Sequence, residues 1–333
     1  MTVTDRPVLV TGAGGCIGAA VVARLLRDGG RPVVFDIAED RRRLRMLLDA
    51  GTTASVPWVV GDIRDSAAVT AAVRDHEIGA IVHLAAMQVP FCNADPVRGA
   101  GVNVVGHVNV FEAARAAGIT SIAYASSVAA LAPGDAQWPA TLYGAYKLAD
   151  EAIADVYAKT WGVASIGIRP HTAYGPGRDQ GVTAAPTKAM LAAAAGVPFT
   201  IPFSGPIMMQ HTDEIAGAFI GAALADIEGA HVCDLAGADT DIAAIVRALD
   251  AVAPGHGVKV TGAPLPFVSG LDDAKLRALI GEWQTIDLDT GVHRTVAAFR
   301  TLLRTGQLQP QDAWRGPLGD PDFAPYKAET DAS

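Results

Sequence analysis

Val8-Leu9-Val10-Thr11-Gly12-Ala13-Gly14-Gly15-Cys16-Ile17-Gly18 decides how this chain is read. An apolar run ends in a turn with glycines at 12, 15 and 18, and Ile17, Val21 and Leu25 then repeat at helical spacing. Gly12 permits a tight turn, Gly15 lets a pyrophosphate approach the backbone, and Gly18 lets helix and strand pack closely. The helix N-terminus offers unpaired N–H groups and the positive end of its dipole to phosphate. Strand, turn and helix are all present, which is the context such a glycine pattern requires.

Asp36 closes the next apolar run, eighteen residues beyond Gly18. A carboxylate there accepts both adenosine ribose hydroxyls and repels a 2′-phosphate, which favours NAD over NADP. Arg41-Arg42-Arg43 is the opposing signal, readable as a 2′-phosphate site or as a solvated helix face. Gly61-Asp62-Ile63 ends the third run. Asp62 either meets the adenine amino group, with Ile63 against its flat face, or caps the following helix.

Working outward, short apolar runs alternate with helical patterns. Strands are expected at 7–11, 31–36, 56–61, 80–84, 121–125 and 165–169, with helices at 17–27, 40–48, 66–76, 97–117 and 143–161. This alternation predicts an α/β fold, a Rossmann-type doubly wound parallel sheet covered on both faces. Beyond it, helices fit 187–195, 212–224, 241–251 and 292–303, with a strand at 231–235. They imply a smaller mixed α/β C-terminal lobe. Residues 1–170 are expected to bind the dinucleotide and carry the catalytic groups. Residues 171–305 are expected mainly to bind substrate, with some segments returning to the first domain. Residues 306–333 hold Pro310, Pro317, Pro321 and Pro325 and read as an extended or flexible tail.

Tyr143 and Lys147 stand i, i+4 in a strong helix pattern and share one face. A phenol with a reference pKa of about 10 is a poor base at neutral pH. A neighbouring ammonium stabilises the phenolate and draws that value toward working pH. Tyr143 then takes a proton from a substrate hydroxyl or returns one to a carbonyl. Ser126 and Ser127 end the preceding strand, placed to donate a hydrogen bond to the same oxygen.

With these residues in place, the chain resembles an extended short-chain dehydrogenase/reductase of the NAD-dependent epimerase/dehydratase family. Thr11–Gly18 matches its T-G-x-x-G-x-x-G, and His83-Leu84-Ala85-Ala86 its H-x-A-A. Asn103–Ala113 matches N-V-x-G-x-x-N-V-x-E-A, and Tyr124–Ser127, Tyr143–Lys147 and Arg169-Pro170 follow in order. The resemblance implies a catalytic Ser127, Tyr143 and Lys147, with Ser126 the neighbouring alternative to Ser127. It implies cofactor contacts from Gly12, Gly15, Cys16, Ile17, Gly18, Asp36, Asp62, Ile63, Ala85, Ala86, Asn103, Tyr143, Lys147 and Pro170. Asn103 reads equally as a polar contact that orders its helix, and His83 as a hydrogen-bonded core residue. The resemblance also implies a homodimer through the helices at 97–117 and 143–161.

Departures from the family pattern narrow the substrate. Nucleotide-sugar members carry an Asn before Y-G-P where Thr172 stands, and a diphosphate-gripping Arg where Ile207 stands. Without an Arg or Lys clamp, a diphosphate loses its strongest charge-assisted hydrogen bonds. Dehydratases follow the catalytic Ser/Thr with Asp-Glu, and Val128-Ala129 follows here. Candidate substrate contacts are Met87, Gln88, Ser127, His171, Thr172, Arg178 and Met208. The Met side chains read equally as ordinary core. Arg178 is a candidate to grip a carboxylate or phosphate.

Composition agrees. Half of the 333 residues are hydrophobic and the formal net charge is −9, which argues against nucleic-acid and anionic-membrane partners. Three sparse cysteines, Cys16, Cys92 and Cys233, support neither a disulfide framework nor a metal site. The opening residues show no apolar signal core, so a cytoplasmic protein is expected. The expected function is an NAD-dependent dehydrogenase or ketoreductase, interconverting a secondary alcohol or sugar hydroxyl and a ketone on a small non-nucleotide substrate. The alternative is a sugar epimerase acting through a transient keto intermediate with retained NAD. A non-catalytic dinucleotide-sensing regulator is disfavoured by the Tyr/Lys pair.

Overall fold

The computed structural model describes residues 6–266, 268 and 270–314. Seven strands form a wholly parallel sheet: β1 (Val8–Thr11), β2 (Pro32–Asp36), β3 (Trp58–Val60), β4 (Ala80–His83), β5 (Ser121–Ala125), β6 (Ala164–Arg169) and, far along the chain, Ala230–Asp234. The spatial order is β3-β2-β1-β4-β5-β6, with Ala230–Asp234 beyond β6. The order reverses between β1 and β4, so the carboxyl ends of these strands open a crevice, where ligands of such sheets bind. Thr11 pairs with Phe35 on one side and with His83 on the other, which brings the glycine turn, Asp36 and the Ala85-Ala86 segment to one edge.

The strands read as continuous apolar runs because both faces are buried. In β1, Val8 and Val10 enter one core and Leu9 the opposite one, as the two-residue strand period requires. The Leu9 side is covered by α4 (Ser66–Asp75), α7 (Gly106–Ala117) and α8 (Leu142–Trp161), and the Val8 side by α1 (Cys16–Arg27) and α10 (Thr212–Ala223). Thus α10 and the strand at 230–234, both from the C-terminal half, return to the first sheet. Between these lie the shorter helices α2 (Arg42–Arg45), α3 (Ala50–Ser55), α5 (Val89–Ala94), α6 (Pro96–Ala100) and α9 (Ala185–Ala195).

A second core lies among α9, α11 (Ile242–Val252), α13 (Leu288–Arg304) and the strands β8 (Phe199–Ile201) and β9 (Pro206–His211). β9 pairs in parallel with β7 (Thr172–Tyr174) and antiparallel with β11 (Ala238–Asp241), while β8 pairs with β12 (Val258–Val260). A last helix, α12 (Ala274–Ile280), packs Leu276 into the first core, and the strand at 230–234 takes the label β10. Pro310–Ala313 forms a short turn whose Ala313 is buried in the second core. Residues 315–333, most of the expected tail, lie outside the described residues.

Two expected helices are locally different. The 40–48 pattern yields only α2, and a second helix, α3, starts afresh where the Asp49 side chain accepts the Thr52 N–H. The 97–117 pattern begins at Pro96, capped by Asp95, and contains a π-helical turn at Gly101–Val105. That wider turn is where Asn103 sits, and such turns recur at functional sites.

Candidate active site

The glycine turn is held by close approach. Gly12 adopts φ 72°, and a Cβ there would lie 2.7 Å from the Ala85 nitrogen. A Cβ on Gly18 would lie 2.5 Å from the Gly12 carbonyl oxygen and 2.6 Å from Ala13 Cα. Gly15 differs: its Cβ would meet only the Gly12 oxygen, at 3.1 Å, so its other side is open. Gly15 also caps α1 without a side-chain bond, and Cys16 and Ile17 form its first turn. An open glycine before a helix N-terminus with free N–H groups is a fitting cradle for a pyrophosphate.

Asp36 lies beside this cradle. Its carboxylate accepts the Gly14 N–H at 2.8 Å and the Ile37 N–H at 2.7 Å, and burial raises its pKa above the ordinary value. The three arginines beyond it are each paired within the protein, Arg42 at the exposed surface and Arg43 in the interior. Arg41 bonds Glu39 and the Val56 carbonyl and lies over Trp58, while Arg42 pairs with Asp40. Arg43 is buried and donates to the Gly14 carbonyl, the Gly177 carbonyl and Asp179. Asp62 is clasped by Arg64, whose hydrogen bond holds its carboxyl below the ordinary range. Ile63 is buried against Gly106, with its carbonyl accepting from Asn109.

At the end of β4, the Leu84 and Ala85 N–H groups donate to Thr11 Oγ1, which lies 2.8 Å from His83 Nδ1. Burial drives the His83 pKa down to about 3. A neutral ring can accept the Thr11 hydroxyl proton, consistent with a core histidine. Asn103 accepts the Met87 N–H and donates to the Met87 carbonyl and to Cys92 Sγ. Both its amide hydrogens are engaged inside the protein, so it orders the segment after Ala86.

The two serines separate clearly. Ser126 is buried and its hydroxyl lies 2.5 Å from Glu151 Oε1, and Arg169 grips the same carboxylate with two bonds. Ser127 is partly exposed and its oxygen accepts the Ala129 N–H at 3.1 Å, leaving the hydroxyl proton available. The following turn, Val128–Ala130, presses on α8: a Cβ on Gly144 would lie 2.1 Å from the Ala129 oxygen. That contact, with the Pro170 carbonyl accepting from Val128 N–H, sets Ser127 close to the start of α8, where Tyr143 stands.

Lys147 is 2% exposed, with Nζ 5.9 Å from the Tyr143 ring centroid. Nζ lies 3.2 Å from Asp150 Oδ2, and Asp150 is fully buried. Burial alone would lower the Lys147 pKa, but Asp150 and Tyr143 outweigh it and hold the ammonium above its ordinary value. Sequence reasoning missed Asp150, although its i, i+3 spacing from Lys147 was visible.

The substrate candidates are more scattered. Gln88 begins α5 and approaches Gly181 on the loop that bears Arg178. Arg178 donates to Thr183 Oγ1 at 2.8 Å. His171 is engaged throughout, its N–H to Gln210 and its ring to Thr172 Oγ1 and the Val268 carbonyl. Thr172 and Met208 are buried. In β9, Ile207 and Met209 enter the second core, so Met208 and Gln210 fall on the opposite face. Gln210 was also missed, and it joins the residue before β7 to the residue after β10, accepting the His171 N–H and donating to the Leu235 carbonyl.

Comparison with known proteins agrees with this geometry. The model of the NAD dependent epimerase/dehydratase family matches residues 8–212. UDP-glucose 4-epimerase of Mycolicibacterium smegmatis is 34% identical over 198 residues, 55% of this chain and 63% of that protein. L-arabinose 1-dehydrogenase (NAD(P)(+)) of Haloferax volcanii is 31% identical over 183 residues, 49% of this chain and 65% of that protein. The chain thus spans somewhat less than two thirds of the length of these two relatives. The crystal structure of Thermus thermophilus UDP-glucose 4-epimerase in complex with NAD superposes with a TM-score of 0.73 at 26% identity, covering 88% of this chain and 99% of that one.

Proposed function

This chain belongs to the NAD-dependent epimerase/dehydratase family, and from that premise we propose that it is an NAD-dependent oxidoreductase. It interconverts a secondary alcohol or sugar hydroxyl and a ketone on a small substrate that carries no nucleotide. One observation carries the choice of substrate: Ile207, at the family's diphosphate-gripping position, is 2% exposed in the second core, and β9 holds no Lys or Arg.

The residues present fit the dinucleotide. Gly12, Gly15 and Gly18 with the Cys16 and Ile17 N–H groups would cradle its pyrophosphate, and Asp36 would accept the adenosine ribose hydroxyls. Asp62 and Ile63 would border the adenine. Ala85 and Ala86 would line the cofactor through their backbone, with Asn103 and Pro170 in support, and Lys147 would hold the nicotinamide ribose. When bound, NAD supplies the hydride acceptor for oxidation, and NADH the donor for reduction. Tyr143 removes the substrate hydroxyl proton as the carbinol carbon is oxidised, or returns it to a carbonyl. Ser127 donates its free hydroxyl proton to the same oxygen and steadies it. Lys147 supplies positive charge beside the Tyr143 ring.

Exposed apolar side chains on the outer faces of the 96–117 and 142–161 helices, with Val97 84% exposed and Val156 and Trp161 also open, support a homodimer through these helices. Three free cysteines support a cytoplasmic location. Among the described residues no helix is long and apolar enough to cross a membrane.

The epimerase reading is favoured by a relative that is a UDP-glucose 4-epimerase. A screen of small alcohols, sugar lactols and ketones, read as NADH absorbance, separates the two. Stoichiometric NADH accumulates, or is consumed with a ketone, if the chemistry is net redox. UDP-glucose and UDP-galactose neither bind tightly nor interconvert. A C4 epimer formed with no net change in NADH absorbance would promote the epimerase.

A further inference from the structure

Asp150 has no role in the proton transfer described above, yet it is the most deeply buried carboxylate beside that machinery. It is 0% exposed, and its Oδ2 lies 3.2 Å from Lys147 Nζ while its Oδ1 has no hydrogen-bond partner. Among the described residues, no other acidic group pairs with Lys147. Its neighbour Glu151 is already committed to two Arg169 bonds and Ser126.

We propose that Asp150 is a positioning residue: it is the counter-charge that keeps the buried Lys147 protonated and aimed, so that the ammonium can donate to the nicotinamide ribose. The proposal rests on the reading of Lys147 as the ribose-holding residue. The physical need is direct. An ammonium removed from water loses its hydration, and an unpaired buried lysine escapes that cost by releasing its proton. A neutral amine is a weak donor and carries no charge to offer a phenolate. A buried carboxylate at contact distance makes the charged state the stable one.

The surrounding groups leave this task to Asp150. From α8 itself come Tyr143 and Glu151, the latter closed off by Arg169 of β6. From α7 comes His107, buried with both ring nitrogens unpartnered and held neutral by burial. From β4 comes neutral His83, from β5 the buried phenol of Tyr124, and from α5 the thiol of Cys92, whose pKa burial raises. His107, His83, Tyr124 and Cys92 thus bring no negative charge to Lys147 near neutral pH, and the charge of Glu151 is met by Arg169. With Asp150 replaced by an amide, Lys147 loses its contact-distance counter-charge and its proton is released at lower pH.

NADH binding tests this without any substrate, through the fluorescence of bound NADH across pH in the full chain and three variants. Wild type holds its affinity from about pH 7 to pH 9. Asp150→Asn matches wild type within a few-fold near pH 7 and loses about tenfold by pH 9, as a lysine brought down from its ordinary value of about 10.4 to about 8 requires. At the alkaline end it falls to the affinity of Lys147→Met, which is weak at every pH. Asp150→Glu, which keeps the charge, keeps the wild-type profile. An Asp150→Asn affinity lowered equally at all pH values, or unchanged, would overturn the proposal, because a packing defect carries no such pH dependence. If neither wild type nor any variant binds NADH, the cofactor reading fails instead.

Discussion

Replacing Glu214 by Gln should stabilise this protein above neutral pH and leave it nearly unchanged in mild acid. Glu214 lies in the first turn of α10, on the seam between the two cores, and is buried with Oε2 unpartnered. Burial pushes its carboxyl up to about 7 from an ordinary 4.5, against the weaker pull of the Ile286 and His211 backbone. The unfolded chain releases this proton near 4.5 and the folded one near 7, so between those values the folded state binds more protons. The stabilisation is therefore full below about pH 4.5 and is lost as pH rises through about 7. At about 1.4 kcal/mol per pH unit, the span amounts to about 3 kcal/mol. Glutamine keeps the shape and never ionises. Thermal unfolding midpoints of wild type and E214Q should coincide near pH 4 and separate by several degrees near pH 8, with the variant higher. Taking the difference cancels every other titrating group. A gap that stays constant across that range, or a variant that falls below wild type at pH 8, would refute the reasoning.

The site yields four further expectations. Tyr143→Phe should abolish turnover while NADH affinity, measured by fluorescence, stays within a few-fold, because only the proton carrier is removed. Ser127→Ala should lower kcat by about tenfold to a hundredfold with cofactor affinity kept. Ser126→Ala should instead lower the unfolding midpoint, because it deprives the buried Glu151 of a donor, by an amount equivalent to about 1–3 kcal/mol. Calorimetry should show NADH bound more tightly than NADPH, and Asp36→Ala should narrow that preference, since Arg41, Arg42 and Arg43 are all engaged elsewhere. Tighter NADPH binding by wild type would reverse the assignment.

The alternating strands and helices of the parallel sheet and the glycine turn were legible because they rest on local signals. A buried strand must be apolar along its length, a helix must repeat its apolar face, and a turn without room for Cβ must use glycine. Tyr143 and Lys147 were legible for the same reason, since one helix fixes their relation. The short strands β7, β8, β11 and β12 of the C-terminal half were not legible, because they lie outside the strand–helix alternation and form only when a distant partner supplies their hydrogen bonds.

Side-chain commitments were decided by the tertiary structure alone. Ser126 and Ser127 are chemically identical in sequence, and only the arrival of Glu151 and Arg169 from α8 and β6 engages one and leaves the other free. The Arg41–Arg43 run is an ambiguous string of charges until the fold brings Gly177 and Asp179 against Arg43. Asp150 reads as an ordinary helix-surface acid until the inner face of α8 is covered, after which its burial beside Lys147 makes the pair inseparable. Local order follows from residues a few positions apart, whereas burial, and with it the charge state and free valence of a polar group, depends on segments that meet only when the chain has folded.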